Sequence, residues 1–191
     1  MPIGFYDYNI SFKYKRIIMD KNIYETDSLV SQYCEFHYGE DYFGVKNFPK
    51  NSVELLKPFF EDINTKKVLD LGCSVGRSSF ELAQYFDEVI AIDYSSNFIT
   101  TAKKLQDDNK IDNEIPVEGD ITEHRSVDLK SLNLLENKNK ITFLQGDAQN
   151  LDDNLQNFDL IFCSNLIDRL QKPIEFLRSI QSRLTQNGIL V

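Results

Sequence analysis

One stretch of this chain, residues 67–93, restricts its fold more than any other. It begins with the largely apolar run Val68–Leu71, continues through a turn with two glycines and a predicted helix, and ends with the apolar run Val89–Ile92. Short apolar runs that alternate with helical stretches are typical of βαβ units, in which consecutive strands pair in parallel. The sequence therefore predicts an α/β fold with a parallel sheet and helices on both faces.

The same alternation continues to the last residue of the sequence. The predicted strands cover residues 67–71, 88–92, 141–145, 158–163 and 188–191. The predicted helices cover residues 76–86, 95–106 and 172–184, and the pair Asn187–Gly188 is interpreted as the signal that stops the last helix. Residues 107–140 are mostly polar, and they are expected to form an elaboration with a short hairpin and a helical turn.

Two segments are expected along the chain. Residues 51–191 form the α/β domain, and residues 1–50 form an extension whose aromatic residues cover the domain as a cap or lid. A helix is predicted from Asn51 or Ser52 to about residue 63, and Pro58 is expected to kink it or to shift its start.

Charge and cysteine content exclude several classes of function. The 191 residues carry a formal net charge of -9, whereas proteins that bind nucleic acids or anionic membranes present basic surfaces. No run approaches the roughly 20 apolar residues that span a bilayer. Neither a nucleic acid nor a membrane is therefore expected as a partner. Cys34, Cys73 and Cys163 form no CxxC pair, which argues against zinc and disulfide frameworks and fits a reducing cytoplasm. Met19 is an alternative start to Met1, because no clear pattern precedes it.

The turn after the first predicted strand is a candidate cofactor site. Within Gly72-Cys73-Ser74-Val75-Gly76, the two glycines allow the backbone to approach a ligand closely, and the following helix offers unpaired N–H groups at its start. The dinucleotide fingerprint G-x-G-x-x-G would require glycine at Ser74 and at Arg77. The turn therefore disfavours NAD.

Asp93 is the second candidate residue for a cofactor. It follows the run Val89–Ile92 and lies about 20 residues past the glycine turn, where nucleotide-binding α/β proteins place a carboxylate for the ribose hydroxyls. Ser95 and Ser96 are available to cap the next helix, so Asp93 is not needed for that role.

The turn and the acidic residues resemble the motifs of class I S-adenosylmethionine-dependent methyltransferases, which have a Rossmann-like sheet. Ser74 replaces the usual middle glycine. The resemblance implies that Asp70 binds the amino group of the cofactor and that Gly146-Asp147-Ala148 contacts its adenine. The expected cofactor-binding residues are Asp70, Gly72, Cys73, Ser74, Gly76, Asp93, Tyr94, Asp147, Ala148 and Ser164.

Further blocks of sequence resemble the mercaptohistidine N-methyltransferase module of ovothiol biosynthesis. They are Ile23–Asp27, Phe36–Gly39, Tyr42–Val45, Asn47–Pro49, Gly76–Leu82 and Asn165–Leu170. The resemblance implies methyl transfer to an imidazole nitrogen of a thiohistidine, with no metal and no covalent intermediate. Because this module often closes a larger synthase, a separate sulfoxide synthase is the partner that it implies.

Six residues are candidates for the acceptor side of such a site: His37, Tyr38, Tyr42, Asn165, Asp168 and Arg169. A side chain of the first three would orient the ring N–H, whereas Arg169 would hold the carboxylate of the amino acid and Asp168 its ammonium group. A plain surface ion pair explains Asp168 and Arg169 equally well. An ordinary packed histidine explains His37 at least as well.

Two other functions remain open at this point. The class I sheet has seven strands, and Val191 lies in the fifth predicted one, so the expectation is a fragment of an enzyme or a remnant that keeps the fold without turnover. A class I methyltransferase of another small molecule is the third interpretation, since the shape of the pocket decides the acceptor.

Overall fold

The structure is a computed structural model that describes residues 23–41, 43–118 and 121–191. Its strands are β1 (Lys67–Leu71), β2 (Glu88–Asp93), β3 (Lys110–Glu118), β4 (Ile121–Asp128), β5 (Ile141–Gln145), β6 (Phe158–Phe162) and β7 (Leu184–Leu190). Its α-helices are α1 (Asp27–Tyr38), α2 (Phe48–Leu56), α3 (Arg77–Leu82), α4 (Ser96–Asp108) and α5 (Pro173–Ile180). Short 3-10 helices cover Ile23–Glu25, Lys57–Glu61, Lys138–Lys140, Ile167–Arg169 and Gln181–Arg183.

The predicted α/β fold with a parallel sheet is confirmed. Five strands form one sheet in the order β5-β2-β1-β6-β7, and every pair in it is parallel. All five residues of β6 are buried, as are four of the five in β1. Such burial on both faces is characteristic of central parallel strands. Because the strands are parallel, the loops that follow them meet at one edge of the sheet.

Helices cover both faces of the sheet, as predicted. On one face, α1, α2, α3 and α4 contribute buried side chains such as Cys34, Val53, Phe80 and Phe98 to one apolar cluster. On the other face, Phe176 and Ile180 of α5 pack with Leu69 and Ile161. No helix in the described ranges is long and apolar enough to cross a membrane.

The end of the chain differs from the sequence prediction. The last helix stops at Ile180 rather than at residue 184, and Asn187 and Gly188 lie inside β7 instead of ending a helix. The register of β7 against β6 shifts between Phe158 and Leu160, so this turn-prone pair occupies an irregular part of the strand. A Cβ atom at Gly188 would lie 2.6 Å from the carbonyl oxygen of Phe158, so only glycine permits this approach.

The helix predicted from residue 51 or 52 begins earlier, at Phe48. The Asn47 side chain accepts a hydrogen bond from the Lys50 N–H and caps α2, and Pro49 lies in the first turn, where proline is favoured. The helix ends at Leu56, and Pro58 lies in the 3-10 helix that follows. The prediction of the start was wrong because Asn47, four residues before Asn51, caps the helix.

The polar segment 107–140 contains a hairpin that is longer than predicted. Its strands β3 and β4 have nine and eight residues and pair antiparallel in a two-stranded sheet of their own. Turns and the 3-10 helix Lys138–Lys140 connect it to β5. The side chains of β4 are exposed up to Ser126, which explains why no apolar pattern marks this strand in the sequence.

Candidate functional site

A cleft of about 1300 Å³ opens at the edge where the parallel strands end. The residues predicted for the site that line it are His37, Asp70, Gly72, Ser74, Asp93, Tyr94, Asp147, Ala148, Ser164, Asn165, Asp168 and Arg169. A pocket for one small ligand usually has about 300–1,000 Å³. The cleft is therefore larger than a usual pocket for one small ligand.

The turn after β1 forms the floor of this cleft. Gly72 has φ +74° and Ser74 has φ +52°, and the N–H groups of Gly72 and Cys73 both donate to the carbonyl of Ile92 at the end of β2. A Cβ atom at Gly72 would lie 3.3 Å from Leu166 Cδ1. The Ser74 hydroxyl is enclosed and has no hydrogen-bond partner among the described residues, which is uncommon for a buried polar group.

Asp70 presents a buried carboxyl group to the cleft from within β1. It is 2% exposed, and its Oδ2 accepts a 2.6 Å hydrogen bond from the Ser79 hydroxyl. Burial raises the pKa of Asp70 to about 7. The hydrogen bond from Ser79 acts to lower this pKa, whereas the charge of Asp93 acts to raise it further. A cationic group bound beside Asp70 would favour its charged form.

Asp93 joins the turn to the start of α4. Its Oδ2 accepts the Ser74 N–H at 2.8 Å, and its Oδ1 accepts the Ser95 N–H at 2.9 Å. Burial raises the pKa of Asp93, and these two N–H groups partly offset that rise. Ser95 itself caps α4 by accepting the Phe98 N–H, as the sequence indicated. Each oxygen of Asp93 keeps acceptor capacity for a hydroxyl group.

The loops after β5 and β6 complete the polar side of the cleft. The Gly146 N–H donates to the Asp93 carbonyl at 2.9 Å, which places Asp147 and Ala148 next to the end of β2. After β6, Asn165 has φ +54° and leads into the 3-10 helix Ile167–Arg169. Arg169 Nε lies 3.2 Å from Asp168 Oδ2, and both side chains are largely exposed.

Aromatic side chains form the opposite side of the cleft. We call Tyr24, Tyr33, Phe36, Phe48 and Phe98 the aromatic wall; all five line the cleft. Tyr33 and Phe98 are 4.6 Å apart between ring centroids, and Phe36 stacks on Phe48 at 6.0 Å. Tyr33 and Phe98 had not been predicted as site residues, because only the packing of α1 against α4 brings them together.

His37 lies on α1 beside Tyr33 and Phe36 of the aromatic wall. It is 6% exposed, lines the cleft, and its Nδ1 has no hydrogen-bond partner among the described residues. Burial and the nearby Arg77 lower the pKa of His37 to about 3. The imidazole is therefore neutral at physiological pH.

Three predicted residues do not face the cleft. The Tyr38 hydroxyl donates to the Val75 carbonyl at 2.7 Å and the Cys73 side chain is buried in the core, so neither is placed to contact an acceptor or a cofactor. Gly76 has φ +91°, and a Cβ atom there would lie 2.8 Å from Phe143 Cζ. Gly76 is not among the residues that line the cleft, and a side chain at this position would enter the packed core. The approach of its backbone to a ligand stays a prediction. Tyr42 lies outside the described residues.

Glu25 connects the amino-terminal segment to the helix after Asp93. Its carboxylate accepts hydrogen bonds from the Ser96 N–H, the Ser96 hydroxyl and the Asn97 N–H, all between 2.8 and 3.1 Å. Burial acts to raise the pKa of Glu25, but these hydrogen bonds outweigh it and the pKa is lowered. No pattern around Glu25 in the sequence pointed to this contact, which joins the aromatic wall to the edge of the sheet.

Residues 69–191 match the protein family described as "Methyltransferase domain". The chain belongs to this family. The match covers the strand ends that line the cleft, from Asp70 to the loop after β6, whereas four of the five residues of the aromatic wall precede it.

Individual proteins agree with the family match. The chain is 22% identical over 139 residues to the ubiquinone biosynthesis O-methyltransferase of Rickettsia bellii, covering 73% of this chain and 46% of that protein. Two solved structures share the fold: the CcbJ methyltransferase of Streptomyces caelestis (TM-score 0.54, 18% identity, 74% of this chain and 51% of that one), and CalS10 of Micromonospora echinaspora, an amino pentose methyltransferase of calicheamicin biosynthesis (TM-score 0.52, 14% identity, 76% and 50%). This chain spans about half the length of each of these proteins.

Proposed function

We propose that this methyltransferase domain binds S-adenosylmethionine in the cleft and transfers its methyl group to a small-molecule acceptor. The observation that carries the proposal is the convergence of carboxylates at successive strand ends on one cleft, opposite the aromatic wall. The structure of the calicheamicin relative, solved with S-adenosylmethionine bound, supports the choice of cofactor.

The polar side of the cleft fits the groups that S-adenosylmethionine carries. Asp70 suits its cationic amino group, and Asp93 suits its ribose hydroxyls because both carboxylate oxygens keep acceptor capacity. The loop at Asp147 and Ala148 is the place for adenine, next to Tyr94.

The chemistry asks for orientation more than for activation. S-adenosylmethionine, when bound, supplies a methyl group on a positively charged sulfur. This sulfur leaves readily as a neutral thioether when the methyl group is transferred. The residues of the cleft then contribute by holding the acceptor in line with that methyl group, and such positioning can lower a barrier by roughly 7–11 kcal/mol. Asp70 and Asp93 fix the donor from one side, and the aromatic wall lines the other.

The acceptor that we propose is a thiohistidine, methylated on an imidazole nitrogen. The aromatic wall suits its planar ring, and Arg169 and Asp168 at the rim of the cleft suit its carboxylate and ammonium groups. The sequence blocks that include His37 and Asn165–Leu170 support the same acceptor. A separate sulfoxide synthase would provide the sulfur-bearing substrate.

A second acceptor class has support from the Rickettsia relative, which is an O-methyltransferase. A phenolic ring fits the aromatic wall as well as an imidazole does. In that case the acceptor oxygen would have to lose a proton during transfer.

The test incubates the purified protein with S-adenosylmethionine and 5-thiohistidine and examines the products by mass spectrometry. The expected product carries one added methyl group on the imidazole ring. Asp93→Ala is the matched control, because it removes the ribose contact and should abolish or strongly reduce the product. Methylation of the sulfur alone, or of phenols in preference, would contradict the proposed acceptor, whereas no transfer to any acceptor despite cofactor binding would contradict the proposed activity.

A further inference from the structure

A buried histidine with one ring nitrogen unpaired among the described residues is the least expected feature of the cleft. His37 is 6% exposed, and its Nδ1 is enclosed with no hydrogen-bond partner among the described residues. Most buried polar groups in proteins are paired, and an unpaired one calls for an explanation such as a ligand. His37 also lines the cleft, and its Nε2 is not among the enclosed atoms, so Nε2 is the ring nitrogen that a bound molecule can reach.

The neighbours of His37 describe the shape of that molecule. The His37 ring lies 5.6 Å from Phe36 and 6.1 Å from Tyr33 between centroids, and Phe36 in turn stacks on Phe48. Rings prefer centroid separations of about 4.5–7 Å, in edge-to-face or offset arrangements. A flat ring in the cleft can therefore make the same kind of contact with these side chains.

We propose that the His37 imidazole accepts a hydrogen bond from a ring N–H or a phenolic O–H of the methyl acceptor, so that the site selects planar aromatic acceptors with such a donor. This inference rests on the proposed function, because it takes the aromatic side of the cleft as the acceptor side. It adds the group that recognises the acceptor and the chemical feature that the acceptor must have.

The charge state of His37 suits this role. Burial and the Arg77 guanidinium lower the pKa of His37 to about 3, so the ring stays neutral and offers one acceptor nitrogen. Arg77 itself is held by Glu81, with Nη2 2.8 Å from Oε1, and packs over the Tyr38 ring. A neutral ring also avoids repelling the positive sulfur of the cofactor. His37 thus orients the acceptor, and any proton that methylation releases passes to water.

The selectivity is tested with two pairs of ring probes that differ by one methyl group. Imidazole and phenol each have a donor, whereas 1-methylimidazole and anisole lack it. The probes are titrated by NMR into protein loaded with S-adenosylhomocysteine, and again without it, at a pH where imidazole is neutral. In at least one pair, we expect wild-type protein to bind the probe with the donor about tenfold more tightly than its methylated counterpart. This difference corresponds to one hydrogen bond.

Two variants separate His37 from general effects. His37→Phe keeps a flat ring and removes the acceptor nitrogen, so it should lose the preference while its thermal melting stays cooperative. His124→Gln is the matched control, because His124 is the other histidine of the chain and lies on the exposed hairpin. It should keep the preference. If His37→Phe does not fold, the ¹⁵N resonances of the His37 ring in His124→Gln protein report the contact directly, and they should shift with the donor probe only.

Three results would overturn the inference: equal binding within both probe pairs, a preference that survives in His37→Phe, or His37 ring resonances that do not respond to a donor probe. Turnover of 5-thiohistidine is measured separately. A missing turnover with an intact probe preference would refute the proposed acceptor and leave the role of His37 standing.

Discussion

Gly76→Ala tests the finding that Gly76 serves the packing of the core. The residue has φ +91°, and a Cβ atom there would lie 2.8 Å from Phe143 Cζ, 2.9 Å from Phe143 Cε1 and 3.3 Å from the Ala102 Cβ. A left-handed backbone costs a non-glycine residue about 1–2 kcal/mol, and overpacking costs about 1–3 kcal/mol more. The variant should therefore lose about 2–5 kcal/mol of its free energy of unfolding.

The assay is thermal unfolding followed by circular dichroism. For a domain of this size, each kcal/mol lowers Tm by about 2–4 °C, so a loss of roughly 5–20 °C is expected. Gly44→Ala is the matched control, because Gly44 has φ +77° but nothing lies within 4 Å of its Cβ position. It reports the backbone cost alone and should lose less.

A second substitution separates the two costs of Gly76→Ala. Phe143→Leu makes room beside Gly76. It should therefore lower the free energy of unfolding less in the Gly76→Ala protein than in the wild-type protein. Equal losses in Gly76→Ala and Gly44→Ala, together with additive effects of Gly76→Ala and Phe143→Leu, would refute the packing argument.

Three further predictions concern the acidic residues. Asp93→Ala should weaken S-adenosylmethionine binding by about 1.5–3 kcal/mol, because a charged hydrogen-bond partner is lost; calorimetry measures this, and an unchanged affinity would remove Asp93 from the ribose site. The pKa of Asp70 is raised to about 7, so the folded protein binds more protons than the unfolded chain between about pH 4 and 7, and the stability contributed by Asp70 falls as pH rises through this window. The Tm of Asp70→Asn minus that of wild type should therefore increase from pH 5 to pH 8. A Tm difference that does not change with pH would contradict the raised pKa. Glu25→Ala should lose about 0.5–2 kcal/mol of stability, as for a removed helix cap, and unchanged urea unfolding would show that this contact is not formed.

The sequence predicted the sheet well because its strands are nearly continuous apolar runs. β1 and β5 have the predicted bounds, and β2 and β6 differ by one residue at their ends. The pattern failed where tertiary contacts decide. Gly188 was interpreted as part of a turn signal. In the structure it lies in β7, where the absence of a side chain allows the strand to approach the Phe158 carbonyl.

The candidate site divides in the same way. Asp70 and Asp93 line the cleft because one lies near the end of β1 and the other ends β2, and neighbouring parallel strands bring such positions to the same edge of the sheet. The roles of Gly76 and Tyr33 were not predicted, because they depend on Phe143 and Phe98, which are distant in the chain. Periodicity within one segment carries no information on such partners.

A crystal structure of the protein with S-adenosylhomocysteine is the most direct test of the central claim, that this cleft is a methyl-donor site. We expect the ribose hydroxyls to donate to Asp93 at about 2.5–2.7 Å, the amino group to lie against Asp70, and the adenine to lie beside Asp147 and Ala148. A ligand bound outside the cleft, or one whose ribose is turned away from Asp93, would contradict the claim.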